Sequence, residues 1–152
     1  ERSDIPLLSG WLATLPLLQR YGFTADKAEA ALEEALRQAD MLWVCDTGDT
    51  LGWACGLAWV MPRGGLGRSA YLRLLVVNEA YAGLGIGAGL LAHVEQLTPR
   101  STKDMLLLVS DFNVDAQRFY RRQGYTQIGA IPDYVLPGVT ELLFESGLLD
   151  RD

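Results

Sequence analysis

The sequence has no apolar run approaching the ~18–20 residues that a helix needs to cross a bilayer. Residues 1–10 also lack the basic start and apolar stretch of a secretory signal. No membrane partner is expected. Cysteine is scarce: Cys45 and Cys55 are the only two, each in an apolar strand-like run beside Trp43, Val44, Trp53 and Ala54. Two cysteines make no disulfide framework. With His93 the only histidine, no Cys/His cluster has metal-ligand spacing, so no metal is expected. Free core thiols fit a reducing compartment, which gives a cytoplasmic expectation. The lack of a histidine near either cysteine in sequence counts against a thiol nucleophile. Basic residues are outnumbered, 13 Lys and Arg against 19 Asp and Glu, for a net charge of −6. Such a surface repels phosphate backbones and argues against nucleic acid. It suits a cationic acceptor such as an amine, or it only keeps the protein soluble. Internal repeats, linkers and low-complexity segments are missing too. At 152 residues, the expectation is a single domain spanning 1–152.

What is there is an ordered series of elements. Residues 7–18 carry apolar Leu8, Trp11, Leu12, Leu15 and Leu18 at helical spacing, with Pro16 expected to kink or end the helix. Thr24 reads as the N-cap of a second helix through Ala28, Ala31, Leu32, Ala35 and Leu36, ending near Asp40. Strands are predicted at 41–45, 51–60 and 70–77, joined by a turn at Thr47-Gly48-Asp49-Thr50 and a flexible loop at 63–68. Together they form an antiparallel meander. A glycine-rich turn then leads into a helix at 85–97, with Ile86, Leu90, Val94 and Leu97 inward. Residues 105–110 read as a buried central strand. A helix at 114–123 is capped by Asn113 and closed by Gly124. Strands at 125–130 and 140–145 flank a loop with two prolines at 131–138. The order ααβββαβαββ defines one mixed α/β domain, with a parallel crossover around the glycine helix.

Tyr81-Ala82-Gly83-Leu84-Gly85-Ile86-Gly87-Ala88-Gly89 is the most informative segment. Glycine inside a helix costs about 1 kcal/mol relative to alanine, so four alternating glycines at a helix start need a reason. Without Cβ atoms an anion can approach the main chain, where the free N–H groups and the helix dipole favour its charge. A diphosphate is the natural occupant. The alternative is a tight turn with close helix-to-sheet packing. A P-loop is excluded because the segment has no lysine. A dinucleotide fold fits badly, because Asn78 to Ala82 intervene after the strand and Asp104 precedes its strand instead of ending it.

Leu74-Leu75-Val76-Val77 followed by Gly83-Leu84-Gly85-Ile86-Gly87 and Leu90-Leu91 resembles the coenzyme A motif of the GCN5-related N-acetyltransferases (GNAT), written Gln/Arg-x-x-Gly-x-Gly/Ala. Gly85 and Gly87 match its small positions, while Ala82 stands where the family has Gln or Arg. Asn113, Ala116, Tyr120 and Gly124 match the family's later motif, Asn-x-x-Ala-x-x-x-Tyr-x-x-x-Gly-Phe, with Tyr125 in place of Phe. The resemblance implies a GNAT-like acyl-CoA N-acyltransferase fold and places the family's first strand, truncated, in or before residues 1–4. It implies acetyl-CoA as cosubstrate and an amine acceptor. Cofactor-binding residues are then Leu75, Val76, Val77, Ala82, Gly83, Leu84, Gly85, Ile86, Gly87, Ala88, Asn113, Ala116 and Tyr120. Through its main chain, the strand before the glycine turn would bond the pantetheine arm in a slot where 70–77 and 105–110 splay apart. There a main-chain N–H of Val76 or Val77 meets the thioester carbonyl.

Tyr120 is the one catalytic residue the resemblance implies, protonating the departing thiolate. A tyrosine with a pKa near 10 keeps its proton at neutral pH; taken alone it would read as a packing aromatic beside Phe119. Asn113, Gln117 and Tyr120 share a helix face at i, i+4 and i+7. His93 reads as a surface or boundary residue, and Glu79, Asp111 and Asp133 as loop carboxylates. No base is nominated, since a water chain can take the amine proton. Tyr21, Phe23 and Tyr134 are candidates to line an amine pocket, with packing their default role. The functional expectation is direct acetyl transfer from acetyl-CoA to a primary amine in a ternary complex. The rival readings are a non-catalytic acyl-CoA sensor and a dinucleotide-binding module. A small polyamine, an antibiotic amine, an amino acid and a protein amine all remain open as acceptor, as does a homodimer.

Overall fold

A computed structural model describes residues 1–46, 48, 54–99 and 101–148. The expected turn at 47–50 and the start of the second strand at 51–53 fall outside the described residues, apart from Gly48. The chain divides into two compact units, Glu1–Asp40 and Met41–Asp152.

The first unit is helical. A 3-10 turn at Arg2–Asp4 occupies the place where a truncated strand was expected, and it leads into α1 (Ile5–Leu12), α2 (Pro16–Arg20) and α3 (Ala25–Arg37). The helix predicted over 7–18 is thus two helices. Proline has no N–H to give to an ongoing helix, but its fixed φ suits a first turn, so Pro16 ends one helix by opening the next. Thr24 caps α3 as predicted, its hydroxyl accepting from Lys27 N at 3.3 Å. α1 packs on α3, and Leu8, Trp11, Leu12, Ala28, Leu32 and Ala35 are buried.

The second unit is a six-stranded sheet of order β1-β2-β3-β4-β6-β5 with helices α4 and α5. β1 (Met41–Asp46), β2 (Ala54–Gly65) and β3 (Ser69–Val77) form the expected antiparallel meander. The loop predicted at 63–68 shrinks to three residues, Leu66, Gly67 and Arg68; Leu66 and Gly67 are at positive φ, and Arg68 N–H donates to Gly65 O at 3.1 Å. Gly64 and Gly65 belong to the strand. A Cβ on Gly64 would lie 2.6 Å from Met61 Cβ, so those glycines serve close approach at an irregular ladder, not flexibility.

After a 3-10 turn at Glu79–Tyr81 comes α4 (Ile86–Leu97), then β4 (Asp104–Ser110), α5 (Val114–Arg122), β5 (Thr126–Pro132) and β6 (Thr140–Gly147). β3 and β4 are parallel neighbours, and every other pairing is antiparallel. The core gathers Ala58, Val60, Leu72, Leu90, Leu91, Val94, Met105, Leu107, Val109 and Phe144. Leu97, predicted inward, is 44% exposed at the last turn of α4, and Leu91 takes the buried place instead. α4 lies against β2, where Gly56 leaves room: a Cβ there would stand 2.8 Å from Leu90 Cδ1.

Candidate active site

The parallel ladder between β3 and β4 stops early. It pairs Ala70 with Met105, Tyr71 with Leu106 and Leu72 with Leu107. Beyond Leu72, β3 continues to Val77 on β2 alone, and β4 continues to Ser110 on β6 alone. The two strands part at their carboxyl ends, and a groove of about 840 Å³ opens beside them. Its walls come from β3 (Leu75, Val77), from the segment Tyr81, Ala82, Gly83, Gly85, Ile86, Gly87 and Ala88, and from α5.

The glycine wall is built for an anion. Gly83 and Gly85 both sit at φ +78°, which a side chain would strain. Gly85 is the N-cap of α4 and offers no side-chain cap. The first intrahelical bond of α4 is donated by Gly89 N–H to Gly85 O at 3.0 Å. The amides of Ile86, Gly87 and Ala88 precede that bond and have no protein acceptor among the described residues, at the positive end of a helix dipole. A Cβ on Gly83, Gly85 or Gly89 would meet nothing within 4 Å. Packing inside the protein therefore does not require these glycines, which weighs against the close-packing alternative. The segment is anchored upstream by Asn78. Its N–H donates to Cys55 O at 2.7 Å, and its side chain accepts from Ala80 N at 3.1 Å.

The opposite wall is α5. Asn113 caps it, Oδ1 accepting from Ala116 N at 3.2 Å. At the other end, Tyr125 N–H donates to Tyr120 O and Gly124 N–H to Arg121 O, with Gly124 at φ +90°. This double closure with a left-handed glycine is a Schellman motif. Its hydrophobic contact is the edge-on pair Tyr120–Tyr125, centroids 5.7 Å apart. The spacing of Tyr120, Gly124 and Tyr125 is thus a helix-ending device that fixes Tyr120. The hydroxyl of Tyr125 donates to Glu95 Oε1 on α4 at 3.1 Å, which a phenylalanine could not do.

Tyr120 lines the groove, is 8% exposed and packs edge-on against Phe119. Burial pushes its phenol well above the ordinary tyrosine value, and the nearby Tyr71 phenol adds to the effect. Among the described residues its hydroxyl has no hydrogen-bond partner. The site therefore presents a neutral O–H donor at the mouth of the strand splay.

Of the residues expected to bind cofactor, Leu75, Val77, Ala82, Gly83, Gly85, Ile86, Gly87, Ala88, Asn113, Ala116 and Tyr120 line one groove. Val76 alternates away between Leu75 and Val77 and pairs with Leu57, and Leu84 is 70% exposed; neither side chain is in the lining. Gln117, expected on the cleft face, instead donates to Ser110 O and Asp111 O and holds the end of β4. The sequence reading missed Tyr81, Asp115, Phe119, Arg122 and Gln123, which also line the groove. In the sequence Phe119 stands out only as a neighbour of Tyr120, and nothing singles out Arg122.

The other candidates lie elsewhere. His93 is exposed and meets Trp43 edge-on at 4.5 Å. Asp111 accepts from Thr140 N at 3.2 Å, and Asp133 from Gly138 N at 2.6 Å, so both carboxylates serve chain turns. Glu79 and Tyr134 are exposed, and Tyr21 and Phe23 are half-buried. No group of three metal-ligating side chains occurs among the described residues.

A model of the acetyltransferase (GNAT) family matches residues 11–125, well over half of the chain. Among solved structures, spermidine N-acetyltransferase from Vibrio cholerae in complex with CoA and spermine is 14% identical, with a TM-score of 0.77 over 97% of this chain and 92% of that one. Ribosomal-protein-alanine N-acetyltransferase from Brucella melitensis is 19% identical, with a TM-score of 0.74 over 97% and 96%. Aminoglycoside 6'-N-acetyltransferase from Enterococcus faecium is 17% identical, with a TM-score of 0.72 over 97% and 94%. At these identities the likeness is one of fold.

Proposed function

The chain belongs to the acetyltransferase (GNAT) family, and we propose that it moves the acetyl group of acetyl-CoA directly onto a primary amine, with residues 1–152 working as one domain. The observation that carries this reading is the groove. Three amides without protein acceptors and a neutral buried phenol line one cavity beside strands that have parted.

In this reading the diphosphate lies against the amides of Ile86, Gly87 and Ala88, where charge-assisted hydrogen bonds and the helix dipole hold it. The pantetheine arm runs along the free edge of β3 and pairs with its main chain as a short strand would. An N–H of Val76 or Val77 stabilises the oxyanion as the amine attacks. The acyl carbon gains the C–N bond, the C–S bond breaks, and the electron pair leaves on sulfur. Tyr120 donates a hydrogen bond to that sulfur. Because its phenol is a weaker acid than usual, Tyr120 acts as a donor to the thiolate and not as a base. Water carries the amine proton away. Most of the rate gain is proximity, since both substrates are held in one cleft.

Arg122 has a further part. Ala82 leaves the glycine wall without the family's Gln or Arg, and among the described residues Arg122 is the only cation in the groove lining. Among the described residues it has no carboxylate partner. It supplies positive charge to the cofactor phosphates from the opposite wall.

The test is release of free coenzyme A from acetyl-CoA across a panel of polyamines, aminoglycosides, amino acids and N-terminal peptides. At least one amine should drive release. If acetyl-CoA raised the melting midpoint but no amine drove release, the sensor reading would replace this one. A midpoint raised by NAD and not by acetyl-CoA would remove both.

A further inference from the structure

We propose that Cys45 and Cys55 are a thiol pair that closes into a reversible disulfide, cross-linking β1 to β2 beside the anchor of the glycine segment. The ladder between these strands pairs Cys45 with Gly56 and then Asp46 with Ala54, skipping Cys55. In an unbroken ladder Cys55 would stand opposite Asp46, its side chain on the other face of the sheet from Cys45. The skipped position is a bulge, and a bulge re-aims the side chain it carries. Here it turns the Cys55 sulfur onto that of Cys45, with Sγ to Sγ 2.7 Å and Cys55 Sγ to Cys45 O 3.1 Å. The sulfurs are already closer than two unbonded sulfurs ordinarily pack. Closing them to the ~2.05 Å of a disulfide brings the sulfurs less than 1 Å nearer.

Cys55 is buried and Cys45 half-buried, so the two have separate parts. The Cys45 thiolate attacks a low-molecular-weight disulfide, forming a mixed disulfide and releasing one small thiolate. Cys55 loses its proton to water, and its thiolate attacks the Cys45 sulfur and displaces the second small thiolate. The protein loses two hydrogens and two electrons are transferred to the oxidant, which leaves as two thiols. The link also reaches the cofactor side of the fold. The Cys55 carbonyl accepts the Asn78 N–H at 2.7 Å, and Asn78 caps the 3-10 turn leading to Gly83 and Gly85.

The experiment incubates the purified full chain in glutathione buffers of graded disulfide content, quenches by alkylation and reads the intact mass. The expected product has lost two hydrogens, carries no alkyl group and reverts with dithiothreitol. Its melting midpoint should rise by about 5–10 °C, the size expected for a short closed loop. Hydrogen exchange at the Asn78 amide should slow in the same species. Cys45→Ser and Cys55→Ala should each abolish the shift, while Cys45→Ser keeps the reduced protein's midpoint. Two alkylatable thiols in the most oxidising buffer, or arrest at glutathione-bound Cys45, would overturn the pair. Unchanged exchange at Asn78 would overturn its coupling to the glycine segment.

Discussion

A phenol as buried as Tyr120, with no anion-stabilising partner among the described residues, holds its proton well past neutrality. Only the neutral form can donate to a departing thiolate, so any alkaline loss of turnover through Tyr120 falls above the ordinary tyrosine value near 10. Tyr120→Phe should lower kcat by about 10²-fold, the low end for proton-donor assistance, and leave the Kd for acetyl-CoA nearly unchanged. Steady-state rates beside direct binding titrations check this, and equal kcat in the two proteins would remove the donor role. In the proposed function Arg122 acts on binding, not on bond breaking. Arg122→Gln should raise the KM for acetyl-CoA about tenfold, the loss of one charge-assisted hydrogen bond at a partly wet site. With acetylated pantetheine, which has no phosphate, variant and wild type should agree. A matching loss with that substrate would mean that Arg122 supports the helix and not the phosphates.

At the scale of elements, α4 matters through both its start and its underside. Its start supplies the amides, and its underside must come close to β2 for those amides to reach the groove. Gly56 permits that approach, since a methyl group there would stand 2.8 Å from Leu90 Cδ1 and 3.2 Å from Ile86 Cγ2 and Val76 O. Gly56→Ala should cost about 1–3 kcal/mol by overpacking, visible as a lower urea midpoint. It should also weaken acetyl-CoA binding, because Ile86 opens α4. Unaltered stability would show that Leu90 can turn aside. α5 depends likewise on both ends. The Asn113 cap and the Gly124 closure set where its nine residues begin and stop, and hence which side chains face the splay.

At the scale of the molecule, the two strongly shifted groups set an alkaline limit on stability. Burial and the neighbouring Cys45 raise the Cys55 thiol from 9.0 to about 11, and burial raises Tyr120 further still. In each case the folded state holds a proton that the unfolded chain gives up sooner. For Cys55 the contribution is thus complete below pH 9 and is lost as pH climbs through 11, while for Tyr120 the loss begins only above the ordinary tyrosine value near 10. Urea midpoints of the reduced protein should fall between pH 9 and 11, and less so in Cys55→Ala; a flat profile would contradict the burial of both groups. The amino-acid sequence by itself determined the order of elements from β1 onward, the uncapped glycine start of α4 and the helix that carries Tyr120. Those features arise from caps, glycine positions and apolar spacing within a few residues of chain. Its errors came where long-range pairing overrode local habit: Gly64 and Gly65 joined a strand, Leu91 displaced Leu97 in the core, and Gln117 turned to the end of β4. Only the tertiary structure decided where β3 leaves β4, that Arg122 joins Ala82 in one groove, and that a bulge turns Cys55 toward Cys45. Each of these depends on the register between segments distant in sequence, which is set by how whole faces pack together.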